Sequence, residues 1–311
     1  MHVTRERKAR WSDFAAGLAL LTMLSPEARA AEAAGFTRFL KVVGLNSNGL
    51  SIVTFKAGSP QQARFLARVT GLQTPDTRLI GIDFRVQDGL LYGVGNGGGI
   101  YTIDQSAKAA FVDKLSVPLS GNSFGVDFNP AANALRIVSD TGQNLRHPFS
   151  VPVPRTTNVD AMLTYTQPPV DPTLPRPAPV TAPGIASAAY TNNDFEADPA
   201  RAQTATTLFD IDTNLDQVVI QSPPNNGILV AAGKLGVDAS SVAGFDIYSR
   251  LNSKSLTSQN FAFAVLQVNA KPVFYQISLT TGAATPIGSF NVPVADIAVP
   301  LNQGPFSDTG F

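Results

Sequence analysis

The residues with the most chemical potential in this chain are carboxylates in a recurring setting. Ile80-Gly81-Ile82-Asp83-Phe84 returns as Phe124-Gly125-Val126-Asp127-Phe128 and again as Ala243-Gly244-Phe245-Asp246-Ile247. In an extended strand, residues two apart share a face, so each Asp lies on the side of its Gly, away from the flanking apolar residues. Three such acids converging on one place could act as general acid and base, or as oxygen ligands. A glycoside hydrolase needs two carboxyls roughly 5–9.5 Å apart across a cleft, and calcium needs roughly six to eight oxygens. No compact D-x-D-x-D-G loop occurs here. Recurrence fits better a role that every unit needs, such as accepting backbone N–H bonds in a turn. Asp83, Asp127 and Asp246 are thus the catalytic candidates of a secondary reading. No metal or cofactor is expected, and calcium is the one ion that such a cluster would suit.

The densest polar stretch runs from Arg136 to Arg146. Arg136, Ser139, Asp140, Gln143, Asn144 and Arg146, with Tyr190, Asn192 and Asn193 from the next unit, form the candidate ligand-binding set. The plainer alternative is a well-bonded corner between units. Asp210-Ile211-Asp212 sets two carboxylates on one strand face, as hairpin ends commonly do. His147, next to Pro148, is expected at a surface or an edge, and no G-x-S-x-G elbow accompanies it. The glycines from Gly93 to Gly99 fall between two strand-like runs rather than before a helix, so they predict a hairpin turn and not a phosphate cradle.

Composition narrows the chemistry further. The chain has no cysteine and two histidines, which removes thiolate sites and nearly excludes multi-imidazole metal centres. Lys+Arg and Asp+Glu each total 23, so no basic excess points to nucleic acid. Residues 1–30 read as a signal peptide. Arg5, Arg7, Lys8 and Arg10 precede an apolar run from Phe14 to Leu24, and Ala28-Arg29-Ala30 offers a cleavage site. The expected mature protein is periplasmic or secreted, without a membrane span and monomeric. The apolar run is too short to cross a bilayer, which takes about 20 residues.

Positioning these side chains falls to short strands bounded by Gly, Asn, Asp and Pro. Each G-x-D copy opens a series of three or four strand-like runs, and the first two copies stand 44 residues apart. A more degenerate unit lies between the second and third copies: Ile185–Tyr190, Thr207–Asp212, Gln217–Gln221 and Ile228–Ala232. Before the first copy only three strands can be found, at Phe39–Gly44, Leu50–Phe55 and Arg64–Val69. Val294–Val299 resembles an opening strand without a unit of its own. The pattern predicts an all-β, five-bladed β-propeller over residues 36–300, with the C-terminal strand completing the N-terminal blade and a tail at 301–311. Six blades are the alternative, should residues 166–206 contain extra strands. The proline-dense stretch 166–184 and the polar stretch 249–260 read as insertions, solvated loops or flaps.

Several of these segments resemble a bacterial secreted family known as domain of unknown function 4394. They are Phe124–Asn129 with Leu135–Arg146, Ala189–Asn193, Thr207–Asp212 and Ser222–Gly227, in order along residues 36–300. The resemblance implies a propeller-like fold and export, and carries no reaction. Taken together, the readings favour an exported, non-enzymatic module that binds an extracytoplasmic ligand or protein. A carboxylate-based hydrolase or lyase acting on glycans or similar material is the alternative.

Overall fold

A computed structural model describes residues 35–166, 177–194 and 205–303. Residues 1–30, read from the sequence as a signal peptide, residues 304–311 and the centre of the proline stretch lie outside the described residues.

Alternating apolar positions give each strand one face for each neighbouring blade, and the strands assemble into five sheets. Blade 1 holds β1 (Lys41–Asn46), β2 (Ser51–Lys56) and β3 (Arg64–Arg68). Blade 2 is β4 (Leu79–Phe84), β5 (Leu91–Gly95), β6 (Gly99–Ile103) and β7 (Ala109–Lys114). Blade 3 is β8 (Phe124–Asn129), β9 (Ala134–Ser139), β10 (Asn144–Pro148) and the short β11 (Asn158–Val159). Two small strands, β12 (Thr164–Tyr165) and β13 (Val180–Thr181), precede β14 (Ile185–Tyr190), β15 (Leu208–Asp212), β16 (Gln217–Gln221) and β17 (Ile228–Lys234) of blade 4. Blade 5 is β18 (Ala243–Leu251), β19 (Thr257–Val268), β20 (Lys271–Ile277) and β21 (Ala284–Ser289), and β22 (Val294–Ala298) ends the series.

β22 joins blade 1, pairing antiparallel with β1 through Val43↔Ala298 and Gly44↔Ile297. The ring therefore closes as the strand pattern predicts. A latch reinforces it: the Gln303 side chain accepts from Lys41 N–H at 2.7 Å and donates to Lys41 O at 2.9 Å. Closure satisfies the inner edge of β1, which would otherwise offer free backbone groups to another chain.

Five apolar clusters fill the five gaps between blades. Between blades 5 and 1, Phe55 meets Phe274 edge-on at 5.1 Å and Phe263 stacks on Phe274 at 5.4 Å. Each such buried ring contributes roughly 1.5–3 kcal/mol relative to exposure. Two loops read from the sequence differ in detail. Within 249–260, Ser249–Leu251 and Thr257–Asn260 are the far ends of β18 and β19, paired Ser249↔Asn260 and Arg250↔Gln259, and 252–256 is the turn that joins them. On either side of the proline stretch, β12 and β13 pair with each other, and β12 runs parallel to β17. These strands widen blade 4 instead of founding a sixth blade.

The G-x-D units are the inner strands of blades 2, 3 and 5. Glycine is required where neighbouring inner strands nearly touch. A Cβ on Gly125 would lie 2.5 Å from Ala188 N, and one on Gly244 would lie 2.5 Å from Asp296 Cα.

Candidate functional site

The same cross-strand registers place the repeated aspartates on the face toward the next blade. Asp83 stands opposite Tyr92, Asp127 opposite Arg136 and Asp246 opposite Phe263. Their carboxylates meet on the axis, with one oxygen from each lying within 4.8 Å of the others. All three are buried. Each also ties its blade to the following one. Asp83 Oδ2 accepts Phe128 N–H at 2.7 Å, Asp127 Oδ1 accepts Tyr190 N–H at 2.9 Å and Asp246 Oδ2 accepts Val299 N–H at 2.5 Å. A fourth acid, Asp296 on β22, sits at the glycine position of the repeat and accepts Ile82 N–H at 2.8 Å. Blade 4 breaks the rule: Ala189 fills the Asp position and Ser187 the Gly position, paired to Phe209 and Ile211. The backbone-accepting role expected of these acids is realised, between blades rather than within a turn.

Crowding three buried carboxylates on the axis, with Asp296 beside them at the funnel wall, raises their proton affinity. Burial, then the Asp246 charge, pushes Asp83 well above the usual carboxylate range, and burial with the Asp83 charge does the same to Asp127. Burial lifts Asp246 to about 7 against the pull of the Val299 and Ile247 N–H groups. Asp296 rises to about 8, again chiefly by burial. Above them, where the inner strands begin, a small funnel of about 100 Å³ opens to solvent. Asn46, Ser47, Asn122, Ser123 and Ser241 line it, and Asp296 forms part of its wall.

The nine residues read as a ligand-binding set separate into three places. Arg136, Asn144, Arg146 and Tyr190 meet between blades 3 and 4. The fully buried Arg136 donates from Nη1 to Asn144 Oδ1 and Asp160 Oδ2, both at 2.7 Å, from Nη2 to Asn225 Oδ1 at 2.7 Å, and from Nε to Tyr190 OH at 3.3 Å. Arg146 approaches the same Asp160 at 3.1 Å. Ser139, Asp140 and Gln143 belong to the β9–β10 turn, where Asp140 accepts Asn122 N–H and Gln143 Nε2 donates to Pro118 O. Asn192 and Asn193 face blade 5, bonded to Asn260, Ser249 and the Ile247 carbonyl. The second acid pair also divides. Asp212 accepts Tyr165 OH at 2.5 Å, whereas both Asp210 oxygens are buried without a partner, and burial raises its pKa well above normal.

His147 departs from the expected surface position. It is fully buried between blades 2 and 3, with Nε2 3.1 Å from Asp113 Oδ2 and Nδ1 3.0 Å from Thr157 Oγ1. Asp113 also accepts Arg155 Nη1 at 3.0 Å. Because Asp113 can only accept, Nε2 carries the ring proton and Nδ1 accepts from the Thr157 hydroxyl. Burial holds the His147 pKa below its ordinary value despite that carboxylate.

On the opposite end of the propeller from the funnel, the wedge between blades 1 and 2 opens into a groove of about 550 Å³. Lys41 and Lys56 are cross-strand partners at its rim, and Thr54 and Arg64 form the next pair inward. Leu66 and Gln105 also contribute to the walls, and Val42, Val43 and Phe55 give the groove an apolar part. Among the described residues the lining holds three cations and no carboxylate.

The model of the family described as Domain of unknown function (DUF4394) matches residues 51–298. The chain belongs to this family. No curated protein matches it. Solved structures similar to this DUF4394 chain include a Bacteroides thetaiotaomicron protein of unknown function, 11% identical with TM-score 0.44, covering 85% of this chain and 64% of that one. An auxiliary nutrient binding protein from the same organism is 13% identical with TM-score 0.36, covering 75% and 55%. Sqt1 of Saccharomyces cerevisiae is 12% identical with TM-score 0.35, covering 82% and 64%. The DUF4394 chain thus spans less than two thirds of the length of each of these structures.

Several residues of this DUF4394 chain escaped the sequence reading. Asp296 carries no G-x-D signature because it replaces the glycine itself. Asp160 and Asn225, the partners of Arg136, lie in loops with no periodic signal. Lys41, Lys56 and Arg64 are scattered over three strands, and only the β1–β2–β3 register gathers them. Their i and j positions across a hairpin were the one available clue.

Proposed function

We propose that this DUF4394 protein is an exported, monomeric, non-enzymatic binding module that takes an anionic extracytoplasmic ligand in the groove between blades 1 and 2. The observation that carries this reading is a ligand-sized groove of about 550 Å³ with the exposed cations Lys56 and Arg64 on its wall and no carboxylate in its lining among the described residues. The basic start and apolar run of residues 1–30 support export. A carboxylate-based hydrolase would need two acids facing each other in an open cleft. The four acids instead bond to the backbone of neighbouring blades, and only Asp296 lines the funnel.

The test is equilibrium binding of dextran sulfate, with neutral dextran as the control. Binding is expected only for the sulfated polymer and should weaken as salt screens exposed charge. Changing both Lys56→Glu and Arg64→Glu should weaken it about tenfold or more while leaving the thermal midpoint unchanged, since both side chains are exposed. Equal binding of neutral dextran, or full binding by the double variant, overturns the reading.

A further inference from the structure

The axial acids present an imbalance of charge. Four carboxylates share the axis, yet none of the ion pairs among the described residues involves them. Backbone N–H groups satisfy part of their hydrogen bonding but bring no net charge. Buried anions without a counterion are unstable, so the cluster must bind protons or a cation.

The geometry suits a cation. Ligand oxygens lie about 2.3–2.6 Å from calcium, so two on opposite sides of one ion stand about 4.6–5.2 Å apart. Oxygens of Asp83, Asp127 and Asp246 lie within 4.8 Å of one another, so all three can reach a single ion between them. The donor set is entirely oxygen, which favours a hard metal over zinc or copper.

A second observation concerns blade 4. Ser187 is buried, and its Oγ has no hydrogen-bond partner. It stands at the repeat's glycine position, opposite Ile211 as Gly81 is opposite Val94, Gly125 opposite Val138 and Gly244 opposite Val265. The other side chain at that position, Asp296, lies close enough to Asp83 and Asp127 for its charge to be felt at both. Ser187 therefore stands on the face of its strand that carries the aspartate in blades 2, 3 and 5, at the level where Asp296 stands on β22. A buried hydroxyl left without a partner in a native structure points to an absent occupant. The funnel, lined by Asp296 together with polar and apolar residues and Arg78, opens this side of the axis to solvent.

We propose that a divalent hard cation, with calcium as the best fit, binds on the propeller axis through Asp83, Asp127 and Asp246, with Asp296 and the Ser187 hydroxyl on the funnel side. Such an ion would draw all five inner strands to one point and replace the missing aspartate link of blade 4. This site is independent of the cationic groove and does not depend on the function proposed for it.

The experiment uses the full chain stripped with EDTA and titrated with calcium chloride, read by equilibrium dialysis and by thermal unfolding. About one equivalent of calcium should bind at or below about 1 mM, and the thermal midpoint should rise with calcium as ligation to the folded state requires. Asp127→Asn should weaken binding at least about tenfold, since it removes one of three close carboxylates. Asp296→Asn, on the half-exposed funnel wall, serves as the second variant should Asp127→Asn fail to fold, and the same weakening is expected. Less than a tenth of an equivalent bound at about 1 mM calcium, or unchanged affinity in a folded variant, overturns the proposal.

Discussion

Arg136→Met separates two roles for the most polar spot in the molecule. The native guanidinium is buried and makes four side-chain hydrogen bonds, to Asn144, Asp160, Asn225 and Tyr190. Methionine keeps most of the stem volume and removes every donor. Asn225 Oδ1 then loses its guanidinium donor, whereas Asn144 Oδ1 keeps the longer 3.3 Å bond from Gln221 and Asp160 keeps half-exposed Arg146. Removing one member of a buried pair costs about 3–5 kcal/mol. The surviving Arg146 contact to Asp160 places the expected loss near the lower end, about 3 kcal/mol. At about 2 °C per kcal/mol for a chain of this size, the midpoint should fall by about 6 °C. Urea unfolding of wild type, Arg136→Met, Asp160→Asn and the double variant gives the coupling energy directly, expected to exceed about 1 kcal/mol. If Arg136→Met unfolds within about 1 kcal/mol of wild type, the buried-keystone account is wrong, and Arg136 returns to the list of ligand contacts.

Two further outcomes follow from the geometry. Gly125→Ala drives a Cβ into the backbone of Ser187 and Ala188, which cannot yield like a side-chain tip; a loss of about 3 kcal/mol or more, or insoluble protein, is expected by expression and denaturation. His147 is held neutral by burial beside Asp113 and Arg155, so below its ordinary pKa the unfolded chain takes up a proton that the folded chain refuses. Its contribution is complete above about pH 6.5 and is lost as pH falls toward the depressed folded value. The stability difference between wild type and His147→Gln should therefore shrink on acidification from pH 7.5 to 5, and a difference that is flat with pH refutes the assignment.

Much of the ring was legible because its inner strands obey one local rule. Gly81, Gly125 and Gly244 mark where backbones crowd, and the Asp two residues later marks the inter-blade tie. The leftover strand at Val294–Val299, matched to a blade one strand short, foretold closure. The site was harder to read because its components are distant in sequence. Arg136 meets Asn225 across 89 positions, and no pattern within a strand encodes a partner in another blade's loop. His147 was misplaced for a related reason. A lone histidine before proline looks like an edge, but Asp113 from the preceding blade supplies the acceptor that lets it be buried. Sequence proximity joined Asn192 and Asn193 to Tyr190, but they follow the end of β14 and Asn193 bonds to blade 5, a separation that only the fold reveals.

The pairing of β22 with β1 has a consequence for how the protein is made. As the chain is synthesised, the first blade waits with its axial edge open while the other four emerge. Only the arrival of residues 294–298 supplies the partner that completes it. Closure of the ring therefore awaits β22. A ribosome stalled at the β21 hairpin would hold a chain with nearly every wedge present and the circle still open.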